Sequence, residues 1–258
     1  MKKIISAVLL LVLTLSFVLT GCSPKEKTLA ELKETGEIVM GTNVAFPPYE
    51  FYPNEDSSNA TGIDVEIMEA IAKDLGVTLR IEDMEFDSIV MAVSSGKVDV
   101  GAAGMSVDEK RLKNVNFTDT YTNAKQVIIV KEDSPISAIG DLEGKKVGVQ
   151  SGTTGDTYAS DDKTIGSVER YSNGILAVQS LKQDKIDAVI IDNEPAKVFV
   201  KQNEGLKILD EEYTDENYAI AVAKQNKEIL EALNQSLAKL KADGTIQAII
   251  DKYINAEE

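Results

Sequence analysis

Three short segments of this 258-residue chain carry groups that could hold a small charged molecule. In Ser106-Val107-Asp108-Glu109-Lys110-Arg111, the guanidinium could offer a paired N–H fork to a carboxylate, with the backbone N–H of Ser106 as a further donor. On spacing alone, Arg111 could equally pair with Asp108 at the surface. Ser151-Gly152-Thr153-Thr154-Gly155 follows an apolar run and precedes a helical one, which suits an anion nest of backbone N–H groups or an ordinary strand-to-helix turn. It lacks the Gly-Lys-Ser/Thr ending of a P-loop, which argues against a nucleotide. Asp192 closes the apolar run Ala188-Val189-Ile190-Ile191 and could meet an ammonium or cap the following helix. Phe46, Tyr49 and Phe86 could wall a pocket for an aliphatic or cationic side chain, or belong to the core. Arg111 with backbone donors, set opposite Asp192, amounts to a pocket for a zwitterion such as an α-amino acid.

The periodicity of the chain predicts the elements that would place these groups. A strand is expected at 38–42 and a helix at 63–75, where Ile63, Ile67, Ile71 and Leu75 recur every fourth residue, Asp64 can cap the start and Gly76 ends it. A strand at 77–81, a helix at 87–95 stopped by Gly96, and a strand at 98–103 complete a βαβαβ unit. From Lys146 the order recurs, with strands at 147–150, 168–171 and 186–192 and helices near 156–160 and 174–182. The repeat argues for an α/β protein of two lobes, each a βαβαβ-based sheet flanked by helices. The runs 126–130 and 218–222 read as two parallel crossover strands forming a hinge, and helices at 227–241 and 245–253 should pack on the first lobe. The expected division is residues 37–124 with 220–258 as the first lobe and 125–219 as the second. Ligands of open α/β sheets bind beyond the carboxyl ends of the strands, and that rule gathers Asn43 to Tyr49, Phe86, Gly104 to Ser106, Ser151 to Gly155 and Asp192 at one cleft.

The first twenty-two residues set the compartment. Met1-Lys2-Lys3, an apolar run to Val18 and Leu19-Thr20-Gly21-Cys22 describe a secretory signal peptide over residues 1–21. The pattern resembles the bacterial lipobox, which implies a diacylglycerol on Cys22 and a lipid-anchored protein on the extracytoplasmic face of the membrane, with 22–36 as lipidated start and tether. Without the leader, 25 basic residues face 43 acidic ones, a net charge of −18 that repels nucleic acid and anionic lipid. The chain has no histidine and one cysteine. Ser-His-Asp and Cys-His catalysis, histidine-ligated zinc and disulfides are therefore excluded, and neither a metal nor another cofactor is expected.

Gly41-Thr42-Asn43-Val44-Ala45-Phe46-Pro47-Pro48-Tyr49-Glu50-Phe51, Gly62-Ile63-Asp64-Val65, Gly104 to Arg111, Phe117-Thr118-Asp119, Gly148 to Thr154 and Asp187 to Asp192 resemble, in order and spacing, the polar amino acid substrate-binding proteins of ABC importers. The resemblance runs from about Leu32 to Tyr253. It implies a type II periplasmic-binding-protein fold that closes on its ligand by hinge bending, and a monomer that delivers an amino acid to a membrane permease driven by a cytoplasmic ATPase. By position, it implies that Arg111 and the N–H groups of Ser106 and Thr154 take the α-carboxylate. Asp192, the Ser106 hydroxyl and the Gly104 carbonyl would take the ammonium. Phe46 and Phe86 would sandwich the side chain, Asn43 and Gln150 would face its tip, and Thr153 lies in the same loop. Several relatives that bind cationic or amide side chains carry an aspartate where this chain has Asn43, so arginine would need Glu85, Asp87 or Glu50 to turn into the cleft; glutamine and histidine suit the neutral amide. The rival readings are a dehydratase-like enzyme on the same fold, which would need a carboxylate acid in place of histidine, and a sensor module for a membrane receptor. A Gram-positive surface is favoured by the anchor and the lack of disulfides.

Overall fold

The computed structural model describes residues 26–254 except 55 and 214. The leader, Cys22 and the first part of the tether lie outside the described residues. Near the start of the described chain, Lys27 donates its backbone N–H to Asn226 Oδ1 (2.9 Å), and its ammonium meets Asp99 (2.6 Å). Helix α1 (Leu29–Thr35) follows, opened by a reciprocal Thr28/Glu31 capping box and closed by Gly36 in the left-handed region.

A first sheet forms around β1 (Glu37–Thr42), which pairs in parallel with β2 (Thr78–Asp83) and β3 (Val100–Gly101). Helix α2 (Ile63–Leu75) crosses from β1 to β2, and α3 (Phe86–Ser94) crosses from β2 to β3. In α2 the apolar stripe Ile63, Ile67 and Ile71 is fully buried, and Gly76 in the left-handed region ends the helix, as its spacing predicts. The strand expected over 98–103 shrinks to Val100–Gly101, because only there does the backbone pair with both neighbours. The sheet continues through β11 (Ala221–Ala223) to β4 (Val115–Phe117), both antiparallel to their neighbours.

The second sheet is built on β5 (Thr122–Lys131), β6 (Lys146–Gln150), β7 (Ser167–Tyr171) and β8 (Ala188–Asp192). Helices α4 (Thr154–Asp161), α5 (Gly174–Lys182) and α6 (Asn193–Gln202) flank it; with β9 (Leu206–Ile208) and β10 (Asp215–Tyr218), the sheet order is β10-β5-β8-β6-β7, and β9 also pairs with β5. β6 pairs in parallel with β7 and β8, so the repeat seen in the sequence is a repeat of topology.

The connection between the sheets departs from the sequence reading in two ways. The returning crossover is β10 (Asp215–Tyr218), whereas 221–223 belongs to the first sheet. The crossing strands are antiparallel, not parallel: Asp215 to Tyr218 run against Lys125 to Thr122. β5 leaves for the second sheet and β10 returns from it, so a side-by-side pairing has to be antiparallel. Helices α7 (Lys227–Ala242) and α8 (Thr245–Ile254) then pack on α2. Among the described residues no helix is long and apolar enough to cross a membrane.

Candidate functional site

The carboxyl ends of β1, β3, β6 and β8 converge where the two sheets face each other, around a small cavity. Nine of the ten candidate ligand residues line it: Arg111, Asp192, Ser106, Gly104, Thr153, Thr154, Phe46, Phe86 and Gln150, while Asn43 stands behind Gln150.

On the side of the first sheet, the chain after β3 turns through Gly104 at φ +52°. A Cβ there would stand 2.6 Å from the Phe46 ring, so the close approach of backbone to aromatic wall requires glycine. The Gly104 N–H donates to Asp64 Oδ2 at 2.7 Å, and Tyr121 Oη donates to the same oxygen at 2.8 Å. Asp64 is therefore not the helix cap that its position suggests; Gly62 holds that place, and Asp64 turns inward beneath the site. Burial raises its pKa to about 7 against those two hydrogen bonds.

Arg111 opens a 3₁₀ turn (Arg111–Lys113) and is only 7% exposed. The pairing with Asp108 is present, on a buried side chain that also lines the cavity. Nε pairs with Asp108 at 3.2 Å, while Nη1 donates to the Ser106 carbonyl at 2.6 Å and Nη2 to the Gly152 carbonyl of the opposite side at 3.1 Å. The guanidinium carbon lies 5.2 Å from the centre of the Phe86 ring. Burial lowers the pKa of Arg111, opposed first by Asp108; a guanidinium stays charged regardless.

On the side of the second sheet, Asp192 is 5% exposed at the end of β8. It occupies the cap position of α6 but makes no side-chain cap bond, and accepts from Tyr218 Oη instead. Burial and then the charge of Glu216 push its pKa up to about 7. The Ser151–Gly155 segment is a helix start. Thr153 Oγ1 accepts from the Asp156 N–H (3.2 Å), and the Gly152 N–H is already bonded to Asp156 Oδ2 (3.1 Å), which leaves less of a nest than the sequence suggests. Thr154 Oγ1 donates to Glu216 at 2.9 Å.

Phe46 and Phe86 both line the cavity, with Phe86 as the first residue of α3 and not on a loop. Tyr49 is fully buried, stacked on Phe46 (5.8 Å) and edge-on to Tyr218 (5.1 Å), and serves as core behind the wall. At the far end, Gln150 Nε2 donates to Asn43 Oδ1 at 3.1 Å, joining the two sides. Of the three acids that could supply a charge for a cationic side chain, Glu85 is exposed and Asp87 accepts from Ser151 Oγ at 2.9 Å. Glu50 lines the cavity, fully buried, and neither carboxylate oxygen has a hydrogen-bond partner among the described residues. Burial, followed by the charges of Asp64, Asp192 and Asp83, raises its pKa well above the carboxylate range.

Residues 38–256 match the family model of the bacterial extracellular solute-binding proteins, family 3. The chain belongs to that family. It is 31% identical to the arginine-binding extracellular protein ArtP of Bacillus subtilis, over 97% of this chain and 98% of that protein. It is 34% identical to a probable histidine-binding protein of Campylobacter jejuni, over 98% and 99%. Its fold superposes with a TM-score of 0.83 on the amino acid ABC transporter substrate-binding protein AbpA of Streptococcus pneumoniae bound to L-arginine, at 33% identity over 88% of this chain and 98% of that one. The two-sheet architecture is thus the type II periplasmic-binding-protein fold, and this family-3 chain is a solute-binding receptor, not an enzyme.

Two residues of the site escaped the sequence reading. Glu216, 6% exposed on the returning hinge strand, gathers hydroxyls from both sides, and Asp64 braces Gly104. Asp64 shares its helical stripe with Met68 and Ile71, and an acid on a buried stripe was the available signal.

Proposed function

We propose that this family-3 protein binds a cationic L-α-amino acid, L-arginine foremost, between two lobes and delivers it to an ABC importer. The observation that carries the side-chain class is Glu50: a buried carboxylate on the cavity wall without a protein partner suits a guanidinium or ammonium from the ligand. The zwitterionic end would meet Arg111 through its carboxylate and Asp192, Ser106 and the Gly104 carbonyl through its ammonium. Phe46 and Phe86 would hold the aliphatic stem and the flat cationic group. The neutral Asn43–Gln150 pair would add amide contacts at the tip, and it favours glutamine as the second reading.

In this reading the first lobe comprises residues 37–124 and 220–258 and the second comprises 125–219, hinged at β5 and β10. The bonds Gln150–Asn43, Arg111–Gly152 and Ser151–Asp87 would form on closure. The leader pattern supports a working chain outside the cytoplasm, anchored through a lipid on Cys22, and in this reading it acts as a monomer with a permease as partner. Isothermal titration of the purified protein, refolded from denaturant to remove carried ligand, against the twenty amino acids tests the cargo. One-to-one binding with arginine or lysine ahead of glutamine and histidine is expected. Glutamine binding tighter than every cationic amino acid would overturn the cationic assignment.

A further inference from the structure

Glu216 does not line the cavity, yet two residues that do are tied to it from opposite sides. Ser106 Oγ, from the first sheet's side, and Thr154 Oγ1, from the first turn of α4, both donate to Glu216 Oε2. Tyr158 Oη donates to Oε1 at 3.0 Å, and Gln126 Nε2 approaches Oε2 at 3.4 Å. The carboxylate is 6% exposed, and each of these neighbours is a donor to it.

A hydroxyl has one proton to give. Ser106 and Thr154 each direct theirs to Glu216, so what they turn toward the cavity is lone pairs. We infer that Glu216 is a positioning residue for selection of the α-amine: it fixes the Ser106 and Thr154 hydroxyls as acceptors, so that they join Asp192 and the Gly104 carbonyl as acceptors at the amine end of the cleft. This rests on the amino-acid reading of the site and deepens it. An α-ammonium brings three N–H donors and a positive charge to such a cradle, whereas an α-hydroxyl brings one donor and none of the charge. Methionine at 216 would keep much of the volume but accept no hydrogen bond from Ser106 and Thr154, freeing their protons to turn toward the ammonium.

The test measures dissociation constants of wild type and Glu216→Met for L-arginine and for its α-hydroxy analogue, 2-hydroxy-5-guanidinopentanoic acid, by titration calorimetry. In wild type the amino acid should bind more tightly than the hydroxy acid. In Glu216→Met, affinity for L-arginine should fall by about tenfold or more while that for the hydroxy acid changes much less, so the ratio collapses. In a Ser106→Ala, Thr154→Val background the same substitution should move the ratio by less than about threefold, since the groups through which Glu216 acts are gone. A merely structural role would weaken both ligands alike in both backgrounds. If Glu216→Met fails to fold, Ser106→Ala and Thr154→Val singly must each lower the ratio. An unchanged ratio in a folded variant whose parent binds L-arginine overturns this inference alone. A wild-type protein that binds no L-amino acid defeats the reading of the site and this inference with it.

Discussion

Replacing Glu50 by glutamine isolates the charge that assigns the side chain. The amide keeps the volume of the carboxyl group, and since neither Glu50 oxygen has a partner among the described residues, no protein hydrogen bond is lost. A hydrogen bond to a charged group contributes about 1.5–3 kcal/mol, which corresponds to roughly ten- to over a hundredfold in affinity. The neutral isostere citrulline provides the reference, because its ureido group matches the guanidinium in length and shape without the charge. Wild type should prefer L-arginine to L-citrulline by about that factor, and Glu50→Gln should bring the two within a few-fold of each other by weakening arginine and sparing citrulline. Calorimetry in two buffers of different ionisation enthalpy adds a second readout. Burial holds the Glu50 carboxyl well above its usual pKa, so seating a cation beside it should expel a proton in wild type, and less of one in the variant. An arginine-to-citrulline ratio that survives Glu50→Gln, or equal loss of both ligands, would refute the charge argument.

Stability of the ligand-free protein should fall as pH rises from about 4 to 7. Asp64 and Asp192, raised to about 7 by burial, bind protons in the folded state that their unfolded counterparts have released; the slope is up to about 1.4 kcal/mol per pH unit for each group, and melting curves of Asp64→Asn should be flatter than wild type over that window. A Tm that rises from pH 5 to 7 at fixed ionic strength would contradict this. Gly104→Ala should lower Tm by a few degrees, from about 1–2 kcal/mol of left-handed backbone strain and a Cβ pressed 2.6 Å from Phe46, and should weaken arginine binding by displacing that wall; an unshifted Tm in a melting scan would count against the strain. Arg111→Lys should keep the fold but weaken arginine at least about tenfold by calorimetry, because an ammonium cannot span Ser106, Gly152 and a ligand carboxylate as the fork does. Retained affinity would show that a point charge suffices.

How much of this was legible in the sequence depended on whether local pattern or tertiary pairing decided the outcome. Helix 63–75 was readable to the residue, because its apolar stripe and terminal Gly76 are local signals. The strand expected at 98–103 was not, since buried apolar residues beyond Gly101 line the cleft without continuing the ladder. The returning hinge strand was placed too late because Asp215-Glu216-Asn217 is polar. Its burial nevertheless alternates, with Glu216 and Tyr218 inward, and period 2 was the signal available. The gathering of Asp192, Ser106 and the aromatic residues followed from the strand-end rule, and Arg111 from the segment running on from Ser106, but which acid would enter the cavity did not. Glu50, Glu85 and Asp87 look alike in sequence, and only the packing of Tyr49, Gly62 and Asp64 around the 46–50 turn brings Glu50 in.

The most direct test of the central claim is a crystal structure of the protein grown with L-arginine. The account predicts one arginine in the cleft, its α-carboxylate on the Arg111 guanidinium, its ammonium against Asp192, its stem between Phe46 and Phe86, and its guanidinium within hydrogen-bonding distance of Glu50. An arginine seated with its guanidinium away from Glu50, or density for it anywhere but this cleft, would contradict the account.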